Sequence, residues 1–517
     1  MVRTLRGIAD YILTVCAIIA SLAGCGDLPS LENRSVSTAV RETGSTRLGR
    51  AISPLIAVHP GKSGIYALTN AHDAFAARVR LAQAAEATLD VQYYIWHNDM
   101  TGTLLFGALR AAADRGVRVR LLLDDNHTLG LDSTLAALDA HPNIEVRLFN
   151  PFVIREPRVL NVTDFARLNR RMHNKSFTAD NQATIIGGRN VGDEYFGATE
   201  GVLFVDLDVM AVGPVVNEVS DDFDRYWSSE SSYPVDRVLP PAGPAFIAEI
   251  EAAASLIERD SGAAGYVNAI RDSSFFRDLF AHRLQLEWST TRMVSDDPAK
   301  GLGVSTPESN LARKLADFIG ESATHVELVS AYFVPTAIGV TALTDLAGRG
   351  VKIRILTNSL EATDVTAVHS GYAKRRKALL KGSITLYEMR LLSPGVGRNK
   401  SAGPIGSSGS SLHSKTFSVD HSRVFIGSFN FDPRSAKLNT EMGFVIDSPA
   451  LAQKIDAAFN DSIPSNAYEV RLSDTGTLYW LERRGGQFVR HDSEPGTSLA
   501  QRTAVRFLSM LPIEWLL

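Results

Sequence analysis

Two stretches of the chain share the polar pattern HxKxxxxD. They are MHNKSFTAD, with His173, Lys175 and Asp180, and LHSKTFSVD, with His413, Lys415 and Asp420. Each aspartate is followed at the same spacing by a GxxN sequence, which ends in Asn190 in the first copy and in Asn430 in the second. One bare HxKxxxxD has a chance of roughly 10⁻⁴ per starting position. Two copies, each with its GxxN, therefore indicate one shared chemistry.

Histidine and lysine at this spacing suit chemistry on a phosphodiester. Residues two apart in a strand point to the same face, so packing two related halves together brings two imidazoles and two ammonium groups to one cavity. One imidazole attacks phosphorus, while the other protonates the leaving alcohol and later takes a proton from the incoming one. The lysines and asparagines donate hydrogen bonds and positive charge to the phosphoryl oxygens. We therefore expect neither a metal nor a cofactor.

A nucleophilic imidazole needs a carboxylate on its second nitrogen to fix its tautomer and orientation. Glu441, in LNTEMGF, is the expected partner of His413. Asp206, in LFVDLDV, is the expected partner of His173, with Asp208 as the alternative.

The aspartates of the two motifs, Asp180 and Asp420, are interpreted as structural residues that bond within a hairpin rather than as proton carriers. For Asn190 and Asn430, a role in a turn is the alternative to phosphate binding. Aromatic residues also fall on strands beside the site, where ordinary core is preferred to lining a lipid channel; these are Tyr93, Tyr94, Trp96 and Tyr332.

The elements that position these residues occur twice. In the first half, LDVQYYIW (89–96) and RGVRVRLLLDD (115–125) predict buried strands, and NKSFTAD with ATIIGG predicts a hairpin. HVELVSAYFVP (325–335), RGVKIRILTNS (349–359) and HSKTFSVD with RVFIGSFN repeat them in the same order. Collinear matches at a nearly constant offset indicate duplication of a whole unit. The predicted fold class is α/β, with two tandem pseudo-symmetric units, mixed sheets flanked by helices and one active site at their interface.

The duplication and the composition shifts predict six segments. They are a lipoprotein signal peptide (1–25), a tether (26–60), a first unit (61–240), a connector packed on it (241–310), a second unit (311–460) and a C-terminal extension (461–517). The loop 391–413 is either a surface linker or a mobile wall of the site. The tail ends in FLSMLPIEWLL, for which a packed helix is preferred to membrane contact. No internal stretch is long and apolar enough to predict a transmembrane helix.

The amino-terminal segment has the features of an export signal. Arg3 and Arg6 precede an apolar run, which ends in Leu22-Ala23-Gly24-Cys25. This ending resembles the bacterial lipobox, so we expect lipidation of Cys25, with an unmodified signal-peptide cysteine as the alternative. The chain has only one other cysteine, Cys16, so disulfides and thiol chemistry are excluded for the mature domain.

The net charge of −4 and the pI near 6.3 argue weakly against nucleic acid as a partner. Two local basic clusters are either solvated faces or contacts to anionic lipid. They are Arg155, Arg158, Arg167, Arg170 and Arg171, and Lys374, Arg375, Arg376, Lys377 and Lys381.

With its doubled HxKxxxxD and GxxN sequences, the chain resembles the phospholipase D superfamily over nearly all of residues 60–517. LDVQYYIWHND, DLDVMAVG, SAYFVP and the terminal LPIEWLL are more similar still to bacterial cardiolipin synthases of the C type. The first copy departs from the common GSxN by reading Gly187-Gly188-Arg189-Asn190, so Ser428 has no hydroxyl counterpart.

The resemblance implies a phosphatidyltransferase that makes cardiolipin through a phosphohistidine. Spacing alone does not distinguish the two histidines; family precedent implies His173 as nucleophile and His413 as acid/base. The implied partners are membrane phospholipids, with phosphatidylglycerol or another lipid alcohol as acceptor and phosphatidylglycerol or phosphatidylethanolamine as donor; a protein partner is left open. A hydrolase of lipid or nucleic acid on the same scaffold is the main alternative, and a catalytically inactive lipid-binding protein is a second. The implied location is the bacterial cell envelope, as a lipid-anchored protein of the inner or the outer membrane.

Overall fold

The computed structural model describes residues 28–197, 206–257, 259–320, 323–391 and 412–517. The predicted signal peptide with Cys25 lies outside the described residues, as does the predicted loop between residues 392 and 411. Among the described helices, none is long and apolar enough to cross a bilayer.

The first half of the chain is built on one mixed sheet. Its strands are β1 (Ser63–Leu68), β2 (Thr88–Ile95), β3 (Arg118–His127), β4 (Ile144–Phe149), β5 (Ser176–Ala179), β6 (Ala183–Gly187), β7 (Asp208–Val212) and β8 (Ser232–Pro234). Their order across the sheet is β8–β4–β3–β2–β5–β6–β7–β1. Only β2, β3 and β4 run parallel to one another. The predicted strands and hairpin are therefore present.

The second half repeats this sheet. Its strands are β9 (Glu287–Ser295), β10 (His325–Ser330), β11 (Lys352–Asn358), β12 (Thr385–Met389), β13 (Lys415–Val419), β14 (Arg423–Gly427), β15 (Met442–Asp447), β16 (Ala467–Leu472), β17 (Leu478–Arg484) and β18 (Gln487–His491). The order is β18–β17–β16–β12–β11–β10–β13–β14–β15–β9, with β10, β11 and β12 parallel. Strands β10 to β15 thus repeat the pairing of β2 to β7, which confirms the predicted duplication.

Strand β9 joins the two sheets. Its first residues pair with β1, where Trp288 lies opposite Gly64, and its later residues pair with β15, where Ser295 lies opposite Met442. A core of buried aliphatic side chains lies between the halves; it includes Ile186 and Val209 from the first sheet and Val424 from the second. Both faces of the central strands are covered, which explains their nearly continuous apolar sequences.

Helices flank both sheets. They are α1 (Arg47–Ala57), α2 (Ala71–Ala84), α3 (Met100–Asp114), α4 (Asp132–Asp139), α5 (Phe165–Leu168), α6 (Asp193–Phe196), α7 (Pro214–Trp227), α8 (Pro244–Ile257), α9 (Ala264–Asp272), α10 (Ser274–Phe280), α11 (Leu311–Ile319), α12 (Thr336–Gly348), α13 (Thr366–Ala373), α14 (Arg376–Lys381), α15 (Pro433–Lys437), α16 (Pro449–Asn460), α17 (Ser462–Asn466) and α18 (Leu499–Met510). Polar side chains begin several of them; Asp99, for example, accepts a hydrogen bond from the amide of Gly102 at 3.0 Å.

Part of the predicted tether is packed protein. Arg34 donates hydrogen bonds to the carbonyls of Ser229 and Ser232, and the amide of Ala39 donates to Asp224 at 2.8 Å. Helix α1 then buries Leu48 and other apolar side chains against the first unit. The tether prediction is therefore wrong for residues 28–57, because the polar composition of this stretch hides its contacts with the first unit.

Candidate active site

Both copies of HxKxxxxD lie at the same end of their sheets, beyond the carboxyl ends of the parallel strands. Lys415 is the first residue of β13 and pairs with Ser330, the last residue of β10. His173 and Lys175 precede β5, which pairs with β2 in the equivalent way. The expectation that these residues lie within a strand holds for Lys415 and is wrong for His173, Lys175 and His413, which precede the strands; all four side chains are buried.

Each imidazole is bonded to a carboxylate from the other half. Nδ1 of His173 lies 2.8 Å from Oε2 of Glu441, and Nδ1 of His413 lies 2.8 Å from Oδ2 of Asp206. The expected pairing, in which each histidine used the carboxylate of its own half, is therefore wrong. The four residues are the expected ones, but the partners are exchanged, so the two halves form a single site.

Backbone contacts between the halves account for the exchange. The amide of His173 donates to the carbonyl of Thr440, and the amide of Thr440 donates to the carbonyl of Arg171, both at 2.9 Å. This short parallel pairing of Met172 with Thr440 places Glu441 next to the imidazole of the first half.

The alternative carboxylate, Asp208, has a different role. Its Oδ2 accepts a hydrogen bond from Arg78 at 2.8 Å and lies 3.4 Å from Nη1 of Arg189. Its Oδ1 accepts from the amide of Arg189 at 3.1 Å. Asp208 is therefore the acidic centre of a buried ion-pair group behind the GxxN turn and does not contact a histidine.

The two GxxN turns differ where their carboxylates differ. Ser428 donates through its hydroxyl to Oε2 of Glu441. The same oxygen lies 2.8 Å from Nδ1 of His173, so both residues fix the position of this carboxylate. A Cβ at Gly188, the equivalent position, would lie 2.1 Å from Oδ1 of Asp206. The shorter aspartate thus occupies the space that a serine side chain would need, which explains the departure from GSxN seen in the sequence.

Burial and mutual repulsion lower the pKa values of the basic groups. Burial, then the charges of Lys175 and Lys415, hold the pKa of His173 well below its usual value. Burial and Lys415 lower the pKa of His413 to about 4. Burial also lowers the pKa of Lys175 to about 7 and that of Lys415 to about 8. Both imidazoles are therefore neutral near pH 7, with Nδ1–H directed at the carboxylate and Nε2 left with its lone pair.

The pKa values of the two carboxylates are shifted in opposite directions. Burial raises the pKa of Glu441 to about 7, although the charge of Lys175 opposes it. Burial acts in the same direction on Asp206, but the charge and hydrogen bond of His413 outweigh it and hold the pKa of Asp206 below its usual value. Asp206 is thus firmly ionised, and its negative charge favours a proton on His413.

The lysines of the two motifs lie next to the histidines, and the asparagines end the GxxN turns. Nζ of Lys175 donates to the carbonyl of His173 at 2.7 Å, and Lys415 makes the equivalent bond to His413. Asn190 accepts from the amide of Ile95 at 3.2 Å, and its buried Nδ2 has no hydrogen-bond partner among the described residues. An amide donor that is buried without a partner fits a phosphoryl oxygen better than a purely structural turn.

Asp180 and Asp420 are structural, but not in the expected way. Both lie at left-handed turn positions, with φ near +52° and +53°. Asp180 accepts from the amides of Glu86, Ala87 and Thr88, and Asp420 from those of Thr324 and His325, so each ties its hairpin to the start of a neighbouring strand. The expectation of bonds within the hairpin is therefore corrected.

Two tyrosines contact the imidazoles edge to face. The ring of Tyr94 lies 4.8 Å from that of His173, and the ring of Tyr195 lies 5.3 Å from that of His413. The sequence does not predict a role for Tyr195, because α6 has only four residues and is too short to show a pattern. Trp96 stacks on Phe106 in the core, as preferred.

Among the described residues, two groups have donor atoms close enough to hold a metal, and neither includes the paired histidines. In the first, Asp99 already accepts bonds from the amides of Gly102 and Asp193. In the second, Arg354 donates to both Glu327 and Asp456.

Comparison with known proteins finds relatives over most of the chain. A family model described as "Cardiolipin synthase, PLD-like domain" matches the chain twice, over residues 79–227 and 315–463, and each match contains one HxKxxxxD. The chain is 52% identical to cardiolipin synthase C of Escherichia coli (strain K12) over 472 residues, which cover 91% of this chain and 100% of that protein. It is 25% identical over 422 residues to cardiolipin synthase A of Klebsiella pneumoniae (strain ATCC 700721 / MGH 78578), covering 80% of this chain and 71% of that protein.

Among solved structures, phosphatidylserine synthase of Haemophilus influenzae Rd KW20 has the same fold. Its TM-score is 0.57, at 13% sequence identity, covering 91% of this chain and 100% of that one. The likeness supports the arrangement of two tandem units.

Proposed function

Because the chain belongs to the cardiolipin synthase family of PLD-like proteins, we propose that its interface site carries out the phosphatidyl transfer that makes cardiolipin. It is a phosphatidyltransferase of the phospholipase D type, its substrates are membrane phospholipids, and it works as a bacterial membrane-associated enzyme. The observation that carries the proposal is the reciprocal bonding of His173 to Glu441 and of His413 to Asp206 across the two halves.

In the first step, Nε2 of neutral His173 attacks the phosphorus of the donor lipid. The bond from phosphorus to the headgroup oxygen breaks, and His413 gives its proton to that oxygen, so a neutral alcohol leaves. The phosphatidyl group is then held on His173 as a phosphohistidine. Assigning the nucleophile to His173 is supported by the firmly ionised Asp206, which favours the protonated form of His413.

In the second step, the phosphohistidine is transferred to an alcohol. His413, now neutral, takes the proton of the acceptor hydroxyl as its oxygen forms a bond to phosphorus, and the bond from phosphorus to Nε2 of His173 breaks. Both imidazoles return to their starting protonation. The acceptor we propose is the free glycerol hydroxyl of phosphatidylglycerol, with phosphatidylglycerol or phosphatidylethanolamine as donor.

The remaining residues stabilise charge on the phosphoryl oxygens. Lys175 and Lys415 are buried, each bonded to the carbonyl of the histidine in its own motif, and the free Nδ2 of Asn190 supplies a further donor. Asn430 is the equivalent group of the second half. A bound phosphodiester brings negative charge between the lysines and raises the pKa of both imidazoles, which allows His413 to take up the proton that it donates in the first step.

The protein's attachment is proposed separately from its chemistry. We propose that Cys25, at the end of the sequence LAGC, carries lipid and holds the chain at a membrane of the cell envelope. Mass spectrometry of the membrane-extracted protein tests this: we expect an amino-terminal fragment beginning at a lipid-modified Cys25, and an unmodified cysteine would contradict it.

The proposed transfer is tested with vesicles of phosphatidylglycerol labelled in the phosphate. Products are separated with and without added phosphatidylethanolamine, and the His173→Ala protein serves as the control. We expect labelled cardiolipin from the unaltered chain and none from the variant. Phosphatidic acid as the sole product would instead identify a hydrolase, because water rather than a lipid alcohol would then resolve the phosphohistidine.

A further inference from the structure

Six large apolar side chains are exposed on two segments near the site. Val159, Val162 and Phe165 lie between β4 and His173, while Phe507, Met510 and Trp515 lie in or after α18. Their exposed fractions run from 51% to 75%. We call these six the apolar rim. Contiguous exposed apolar side chains on a folded protein commonly mark a binding surface.

The two segments of the apolar rim are held together by Arg434. Its Nη1 donates to Oδ1 of Asn169 at 2.9 Å and to the carbonyl of Leu516 at 3.3 Å. Its backbone amide donates to the carbonyl of Leu517 at 3.0 Å. The segment that ends in Asn169 therefore meets the carboxyl terminus, so the rim is formed by both halves of the molecule.

The segments that carry the apolar rim lead directly to residues of the active site. Asn169 is followed within four residues by His173, and Arg434 belongs to α15, which lies between Asn430 and Glu441. Helix α18 packs on α13, which follows the carboxyl end of β11 on the same side of the second sheet. Both segments of the rim are therefore connected to elements at the same end of the sheets as the two histidines.

One face of α18 is largely exposed to solvent. Val505 is its only buried residue. Phe507 and Met510 are three positions apart, so they lie on one face of the helix, and both are more than half exposed. The tail sequence favours a packed helix over membrane contact; the structure shows a helix that packs on one side and presents apolar side chains on the other.

Positively charged arginine side chains belong to the same two segments as the apolar rim. Arg170, Arg502 and Arg506 lie in its two segments, and among the described residues none of these three makes an ion pair with a carboxylate. Helix α18 contains no acidic residue, although the whole chain has a net charge of −4. Two arginines of the predicted basic clusters behave differently: Arg155 pairs with Asp132, and Arg375 with Glu514.

We infer that the apolar rim is the surface by which this enzyme rests on an anionic lipid bilayer, with its active-site entrance facing the membrane. Apolar side chains at this position enter the boundary between headgroups and acyl chains, and the adjacent guanidinium groups bind anionic headgroups. The inference rests on the proposed function, since a phosphatidyltransferase must take its substrates from a bilayer. A lipid then moves from the bilayer to His173 with little exposure of its acyl chains to water.

Trp515 provides an intrinsic probe of the rim. The chain has five tryptophans, of which Trp96, Trp227 and Trp480 are buried and Trp288 is stacked on His59, so Trp515 is the exposed one. The full chain is mixed with vesicles of phosphatidylglycerol and phosphatidylcholine, with and without brominated acyl chains. We expect brominated lipid to quench the fluorescence of the unaltered protein, and Trp515→Phe to lose most of that quenching. Equal quenching of the two proteins, or none in either, would overturn the inference.

A second measurement separates the rim from the chemistry. Phe507→Ser combined with Met510→Ser should lower turnover in vesicles at least about tenfold while leaving turnover of monomeric short-chain phosphatidylglycerol within about twofold. Val58→Ser is the control, because Val58 is 70% exposed but lies near the start of β1, at the opposite end of the first sheet. Equal losses in vesicles for the double variant and for Val58→Ser would count against the rim. If the unaltered chain turned over neither substrate, the proposed function would fail, while the quenching result would still stand.

Discussion

Glu441 of the second half accepts a hydrogen bond from Nδ1 of His173 in the first half, at 2.8 Å. The mirror contact, from His413 to Asp206, has the same length. Because each imidazole takes its orientation from the opposite half, neither half can form a complete histidine–carboxylate pair alone. The duplicated fold and the single site are thus linked through these two contacts.

Replacing either carboxylate by its amide should lower turnover strongly without unfolding the chain. Glu441→Gln and Asp206→Asn keep the shape of the side chain but lose the negative charge that fixes the imidazole tautomer. We expect kcat to fall roughly 10²–10⁴-fold in both, by analogy with carboxylates that orient catalytic histidines elsewhere. Steady-state kinetics on vesicles, with circular dichroism as a check of folding, provide the measurement.

Asp208→Asn is the matched control for these variants. Asp208 is as buried as Asp206 but pairs with Arg78 and Arg189 rather than with a histidine. We expect the unfolding midpoint to fall while kcat of the folded protein changes less than about tenfold. A loss as large as that of Asp206→Asn would show that Asp208 takes part in the chemistry.

The covalent intermediate should form on the first histidine. Rapid quench in alkaline denaturant of the enzyme with phosphate-labelled phosphatidylglycerol, followed by peptide mapping under alkaline conditions, should place the label on the peptide that contains His173. His413→Ala should lower turnover at least about 10³-fold and still yield some labelled His173, because the nucleophile is intact. Label on the peptide that contains His413 would reverse the two assignments.

The two GxxN turns should tolerate substitution differently. Gly188→Ala forces a Cβ to within 2.1 Å of Asp206, which must move away from His413. Ser428→Ala removes one hydrogen bond to Glu441 and introduces no clash. We therefore expect kcat to fall more than about 10²-fold for the first variant and about tenfold for the second. The reverse order would show that the serine hydroxyl acts on substrate directly.

The sequence predicts some features of the fold and of the site but not others. The repeat of alternating apolar residues around His173 and His413 predicts both hairpins, because strand periodicity is local. The same repeat does not predict that Glu441 accepts a hydrogen bond from His173. That contact depends on the pairing of Thr440 with Met172 across the two halves. The repeat also misses Tyr195, whose contact with His413 arises from a helix of four residues. Local patterns indicate the candidate catalytic groups, whereas long-range contacts decide which of these groups meet.

The motif aspartates should affect stability unequally. Asp180 is fully buried and accepts bonds from three backbone amides, so Asp180→Ala should lower the free energy of unfolding by about 3 kcal/mol or more. The side chain of Asp420 is 28% exposed and water can replace part of its bonding, so Asp420→Ala should cost about 1 kcal/mol. Urea unfolding gives the two values. A 10³-fold loss of kcat in folded Asp420→Ala would contradict the structural role.

Anion binding at the site should weaken as the pH rises, because the two lysines lose their protons near neutrality. Burial lowers the pKa of Lys175 to about 7 and that of Lys415 to about 8. Both ammonium groups are charged at pH 6 and both are largely neutral at pH 9. Sulfate keeps its charge throughout this range, so any change in its binding comes from the protein. We expect its inhibition constant to rise at least about tenfold between pH 6 and pH 9.

The same pKa values predict the direction of a stability change. In the unfolded chain these lysines stay protonated up to a pKa near 10.4, so between about pH 7 and pH 10 the unfolded state binds more protons and the free energy of unfolding rises with pH. Lys175→Met and Lys415→Met should each reduce the pH dependence of the sulfate inhibition constant and that of the free energy of unfolding. If sulfate inhibition were independent of pH in the unaltered chain, the lysines would not be the groups that bind the phosphate, and the charge stabilisation assigned to them would have to come from elsewhere in the site.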